Sequence, residues 1–186
     1  MINQINGLHH VTSIASGAQS NNDFFTKTLG LRRIKKTVNF DAPEVYHLYY
    51  GDEAGTPGTV MTYFPFPNAR RGRPGTGEVG ITGFAVPKGS LPYWQERLAT
   101  FDVKNMQTET TFGETRLRFD GPDGDGFVLV ETDGDARDPW TNNGVPADAA
   151  IRGFHSADMR LRDAAASAEA ARKSAAEAIE AVDAAK

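Results

Sequence analysis

Apolar and polar positions alternate along Leu8–Ala15, which predicts a strand with Leu8, His10, Thr12 and Ile14 on one face. The period then changes. Phe24, Phe25 and Leu29 form one stripe of a helix over Ser20–Leu29, and Gly30 ends it. Leu31–Val38 reads as a second strand with exposed Arg and Lys. Val45–Tyr50 is a third, with Val45, His47 and Tyr49 opposing Tyr46, Leu48 and Tyr50. Gly55-Thr56-Pro57-Gly58 is turn chemistry and Thr59–Phe64 a fourth strand. The order is βαβββ.

The same order returns. Strand Val79–Val86 precedes a helix over Leu91–Thr100, with Leu91, Trp94 and Leu98 on one face. Strands follow over Val103–Thr110, Thr115–Phe119 and Phe127–Glu131. His10 aligns with Ile81 and again with His155, at near-constant steps of about seventy residues, the mark of a modular chain. Gly58 is aligned with Gly126 as a second marker. The expected architecture is therefore α+β, with tandem βαβββ modules carrying curved mixed sheets, plus a C-terminal Ala-rich helix. Residues 5–67 form the first module, 68–77 a Pro- and Gly-broken linker, and 78–132 the second module. Residues 133–150 are a second linker, 151–162 the first strand of an incomplete third module, and 163–186 the Ala-rich helix. That tail has few large apolar residues to bury, so packing gives it little support. Because the third module breaks off, we expect a shortened chain with a substituted ending, the alternative being a natural, solvent-facing terminal helix.

Composition narrows the function classes. A formal charge of −4 offers no basic field for nucleic acid. No window approaches the ~18 apolar residues of a membrane helix. The N-terminus lacks a basic segment followed by an apolar run, so no secretory signal is expected. Zero Cys excludes disulfides and thiolate metal sites and fits a reducing cytoplasm.

The histidines carry the candidate chemistry. His10 shares a face with Thr12, and a concave sheet would present both. Spacing alone leaves His10 open between a metal ligand and a core histidine bonded to backbone. Thr12 is open between bonding an oxygen ligand and merely favouring a strand. His9 points to the opposite face of a regular strand. His47, among Tyr46, Tyr49 and Tyr50, could line the concavity of His10 or pack as an aromatic. In the second module Ile81 replaces the histidine and the module looks metal-free, while Glu131 reads as a solvated carboxylate. Arg70, Arg71 and Arg73 read as a solvated loop. Gly124-Asp125-Gly126 is a turn and no phosphate loop, since no helix follows.

βαβββ modules with His on the first strand resemble the vicinal oxygen chelate superfamily of glyoxalases, antibiotic-resistance proteins and extradiol dioxygenases. Gly7-Leu8-His9-His10-Val11-Thr12, Tyr46-His47-Leu48-Tyr49-Tyr50-Gly51-Asp52, Gly55-Thr56-Pro57-Gly58-Thr59 and Tyr63-Phe64-Pro65-Phe66-Pro67 are similar to ring-cleaving dioxygenases of the hydroquinone type. Arg71-Gly72-Arg73-Pro74-Gly75 and Ile151-Arg152-Gly153-Phe154-His155 continue the likeness. It implies cleavage of a small aromatic substrate by O2 at Fe(II), or Mn(II), held by two His and one Glu. It places the first ligand at His10 and associates the position of His9 with the surroundings of the metal, as an acid–base group. It also implies a fourth module, with the second His and the Glu, that this sequence does not contain. His155 is not the expected second ligand, and Val128 stands where related modules place a last-strand Glu.

Two other readings stay open on the sequence. One is a non-catalytic module that captures small aromatics or serves as a scaffold. The other is a glyoxalase-like site completed by a homodimer, since missing modules would expose apolar sheet surface.

Overall fold

The structure, a computed structural model, describes residues 7–70 and 72–184. A first sheet has the order β1-β4-β3-β2, with β1 at His10–Ala15, β2 at Arg32–Val38, β3 at Tyr46–Gly51 and β4 at Val60–Pro65. A second has the order β6-β7-β8-β5-β9. Here β5 spans Glu78–Pro87, β6 Lys104–Thr111, β7 Glu114–Asp120, β8 Gly126–Thr132 and β9 Gly153–Arg160. In each sheet the module's first strand runs parallel to its last, β1 beside β4 and β5 beside β8. The remaining pairs are antiparallel. A parallel pair needs a crossover, and a helix supplies it each time. In the first unit α1, Ala18–Asp23, widens into a π-helical turn over Phe24–Thr28. In the second, α2 covers Leu91–Thr100 and buries Leu91, Trp94 and Leu98, the predicted face.

Register corrects one internal alignment. His10 lies beside Val60, and Ile81 beside Gly126. Gly126 thus holds the place of Val60, not of Gly58. The connection from β3 to β4 is longer than that from β7 to β8, which shifts the two turns out of step. Gly58 instead precedes β4 and donates its N–H to the His9 carbonyl at 2.8 Å.

Both units share one core. Phe24, Phe25, Tyr50 and Tyr63 come from the first, and Phe84, Trp94, Phe119 and Phe127 from the second. The Phe127 ring joins them, lying 5.6 Å from Phe24 and 5.9 Å from Phe25 between centroids. Polar clips add to the seam: Tyr63 Oη donates to Asp125 Oδ2 at 2.5 Å and Ser16 N to Asp123 Oδ1 at 3.1 Å. The segment expected as the second linker is a packed strap. Val145, Ala149 and Ala150 lie in the core, and Trp94 Nε1 donates to the Ala149 carbonyl at 2.8 Å. Arg97 ties the same strap to the π-helical turn after α1, donating to the carbonyls of Thr28 at 2.8 Å and Gly144 at 3.1 Å.

The strand expected to open a third module, β9, adds antiparallel to the free edge of β5. The Ala-rich tail forms α3, Ala164–Ala184, and its described side chains through Ser174 are exposed. Arg70 and Arg73 are exposed as expected; Arg71 lies outside the described residues.

Candidate functional site

The first sheet curls around a cavity of about 410 Å³. Four strands build its wall row by row. Register places Thr12 beside Thr62, Thr62 beside Tyr49, and Tyr49 beside Lys35. Strand alternation keeps such a row on one face. His10, Thr12 and Ile14 are exposed on this concave side while Val11, Ser13 and Ala15 turn inward, the predicted parity. His9, His10, Lys35, His47, Tyr49 and Thr62 line the cavity, with Ile34 and Val60 as apolar floor.

Thr12 Oγ1 and Thr62 Oγ1 are 2.8 Å apart. When Thr62 donates, the Thr12 hydroxyl hydrogen is free for a bound oxygen. His9 Nδ1 and His10 Nδ1 face each other at 3.1 Å. Only one can carry the hydrogen; with His10 as donor, its Nε2 keeps a lone pair for a metal. His9 therefore joins the cavity wall despite belonging to the other strand face, because the chain enters β1 only at His10.

His47 belongs to the same cavity. Its ring stacks on Phe64 at 4.0 Å and its Nδ1 meets Tyr49 Oη at 2.7 Å. Its Nε2 is buried without a partner. Burial, then the nearby His10 and Lys35, push the His47 imidazole below the ordinary histidine range. Burial raises the Tyr49 phenol. Lys35 Nζ lies 5.7 Å from the centre of the Tyr49 ring. The residues lining the cavity thus carry histidine nitrogens and an ammonium but no carboxylate. Lys35 and Tyr49 were not singled out in the sequence. The signal was there, because Tyr49 shares the parity of His47 in β3.

The donor set tests the metal expectation. Two His and one carboxylate make the usual open face for Fe(II). Among the described residues no group of three or more His, Asp or Glu could hold a metal ion. His10 could take one position of such a site; among the described residues no cluster supplies the other two.

The second unit carries different residues at the equivalent register positions. At the places of His10 and Val60 stand Ile81 and Gly126; at those of Thr12 and Thr62 stand Gly83 and Val128. The polar pair has become apolar. Glu131 is not merely solvated: it accepts the N–H groups of Gly89 at 2.8 Å and Leu91 at 3.2 Å, capping the start of α2. His155 is the extra residue where the β5–β9 register slips, since Gly83 faces Ser156 and Phe84 faces Phe154. Its Nε2 lies 3.1 Å from Glu114 Oε1, and Glu114 accepts from Arg116 at 2.6 Å. That bonding ties β9 to β7 within the second sheet.

Residues 7–129 match the Glyoxalase/Bleomycin resistance protein/Dioxygenase superfamily. The chain belongs to it. Among individual relatives, it is 45% identical over 153 residues to the Bacillus subtilis strain 168 protein MhqO, which carries a ring-cleaving dioxygenase name. That match covers 82% of this chain and 49% of MhqO. It is 42% identical over 157 residues to a chlorohydroquinone/hydroquinone 1,2-dioxygenase of Sphingobium indicum, covering 82% and 49%. A crystal structure from Bacillus subtilis strain 168, described as a dioxygenase, superposes with a TM-score of 0.78 at 45% identity. It covers 81% of this chain and 48% of that one. The chain therefore spans about half the length of the relatives it matches. The superfamily's mixed α+β fold, with two curved sheets, is the one expected from the βαβββ repeat.

Proposed function

We propose that this chain carries the His10-bearing half of an extradiol-type dioxygenase that cleaves hydroquinone-like aromatics with O2. The observation that supports it most is the cavity on the first sheet. There His10 has an Nε2 freed by His9, Thr12 lies two residues on, and Tyr49, His47 and Phe64 supply aromatic surface. Identities of 42% and 45% to proteins with dioxygenase names add the reaction class. In this reading residues 5–67 are the site module and 78–132 the module that braces it. His10 is a ligand for Fe(II) or Mn(II), His9 fixes its tautomer and exchanges protons beside it, and Thr12 donates to a ring oxygen. Lys35 favours the anionic form of a phenol bound against Tyr49. The absence of cysteine and the acidic charge suit a cytoplasmic protein without a nucleic-acid role. No described helix is long and apolar enough to cross a membrane.

With one of three ligands present, the chain is expected to hold iron weakly and turn over poorly. Elemental analysis after anaerobic loading should find well under one Fe(II) per chain, and less still in His10→Ala. Oxygen uptake on hydroquinone should stay near background. Iron at one per chain with brisk uptake would refute the incomplete ligand set; iron unchanged in His10→Ala would refute the ligand assignment.

The lack of a three-ligand cluster favours a second reading, a non-catalytic module that binds small aromatics. Hydroquinone binding unchanged by a chelator would select it. Completion of the site by a second copy of the chain is the third.

A further inference from the structure

The cavity of the first sheet has a charge pattern that the chain as a whole lacks. The protein is acidic, with a formal charge of −4, yet none of the residues that line this cavity is an acid. Lys35 is the one lysine or arginine among them. Asp52, in the turn that carries Ala54 and Gly55, is already committed. Its Oδ1 accepts the N–H groups of Gly55 at 2.6 Å and Thr56 at 2.9 Å.

Lys35 stands here because β2 is irregular. Arg33 lies beside Tyr50 and Lys35 beside Tyr49, so Ile34 is the extra residue of a β-bulge. In a regular strand Lys35 would pair with Leu48, on the face that packs into the core. The bulge brings both Ile34 and Lys35 to the concave side. Two glycines make room for it: a Cβ on Gly51 would lie 2.9 Å from Ile34 Cδ1, and one on Gly55 3.2 Å from Ile34 Cγ2. The other basic residues of β2 are engaged elsewhere. Arg32 donates to the Glu53 carbonyl, Arg33 donates to Asn22 Oδ1 at 3.3 Å, and Lys36 Nζ sits 3.8 Å from the centre of the Tyr46 ring. Lys35 leans inward, its Nζ 5.7 Å from the centre of the Tyr49 ring. Among the described residues it makes no ion pair.

An ammonium aimed into a cavity without acids is a partner for an anion that comes from outside. A phenol ionises near pH 10, so at pH 7 only about one molecule in a thousand is charged. A ring carboxylate ionises near pH 4 and arrives fully charged. Lys35 is exposed, so water weakens its pull on the proton of a neutral phenol, and it selects best a group that is already an anion. Space agrees. Tyr49, Thr62 and Thr12 lie in one row, so two strand spacings, about 10 Å, separate Tyr49 from Thr12. That is room for one ring with a polar group at each end.

We propose that this cavity selects hydroxylated aromatics that carry a ring carboxylate, and that Lys35 is the residue that sets the preference. The ring lies against Tyr49, with its carboxylate on the Lys35 ammonium and a hydroxyl toward Thr12 and His10. The assignment rests on this cavity being the aromatic site.

The test uses the full chain in EDTA under nitrogen, so that neither metal nor turnover enters. Three probes are titrated calorimetrically at neutral pH: hydroquinone; gentisate, which is hydroquinone with one ring carboxylate; and the neutral methyl ester of gentisate. Gentisate should bind at least about tenfold more tightly than the other two, and added salt should erode only that advantage. Lys35→Met should bring gentisate down to the level of its ester, leave hydroquinone within about twofold, and keep the wild-type circular dichroism. Lys35→Arg should retain the preference. Lys36→Met, on the other face of β2, should leave it untouched. Equal binding of gentisate and its ester, or a preference that survives Lys35→Met, overturns the proposal while the aromatic cavity stands. Failure of all three probes to bind overturns both.

Discussion

His47 shows what a cavity does to one residue. Stacked on Phe64 and bonded to Tyr49, it resists protonation, because burial and the neighbouring His10 and Lys35 disfavour its charge. Its folded pKa therefore lies below the unfolded value of 6.5. As pH falls through 6.5 the unfolded chain takes up a proton that the folded chain refuses, so stability drops. The loss continues until the folded pKa is passed. His47→Phe keeps an aromatic ring against Phe64 and removes that titration. Urea unfolding at a series of pH values should show a shallower decline below pH 6.5 in the variant. The depressed carboxylates, Asp23, Asp52, Asp135 and Glu114, act in the same direction but only from the ordinary carboxylate range downward, so they do not mask it. An unchanged slope would mean that His47 titrates as it does in water.

Elements were mostly legible because their periods are unlike. Alternation in β1 and β3 and the stripe of α2 survive to within a residue or two. The widened turn over Phe24–Thr28 was not legible, since a π turn keeps Phe24 and Phe25 buried just as an α turn would. Nor was the slip that makes His155 an extra residue, because a bulge is set by the partner strand. The sequence places a helix end at Gly30, and the structure adds a second reason for glycine there. Its φ is +74°, and a Cβ there would lie 2.3 Å from Val145 Cγ2 on the strap. Gly30→Ala should thus cost about 2–3 kcal/mol, roughly 1 from the left-handed backbone and the rest from overpacking. Chemical denaturation measures it, and Val145→Ala in the same chain should recover part of the overpacking term. Full recovery would mean that the backbone term is absent. The site was half legible for a similar reason: His10 and Thr12 share a strand, but Lys35 joins Tyr49 only through register across β2 and β3.

At the scale of the whole molecule the question is whether the two units stand alone. The repeat suggests beads on a string, with residues 68–77 and 133–150 as slack. The core argues against it, because the strap is packed and Phe127 of β8 touches rings from both units: Phe24 and Phe25 on one side, Phe84 and Phe119 on the other. A fully buried Phe cut to Ala loses about 3–5 kcal/mol through transfer and cavity. If the units share that loss, Phe127→Ala lowers the urea midpoint for all probes together. Far-ultraviolet dichroism reports both sheets; Trp94 fluorescence in a Trp140→Phe background, which removes the ring over Arg32, reports α2 of the second unit, and a fluorine label on Tyr50 reports the first. The three curves should remain superimposable in the variant, displaced by the same amount. Were the units independent, the Tyr50 signal would keep its wild-type midpoint while Trp94 moved. The cavity on the first sheet would then owe nothing to the second. Because Tyr63, on the strand that carries Thr62, is bonded to Asp125 of the other unit, coupled loss is the expected result.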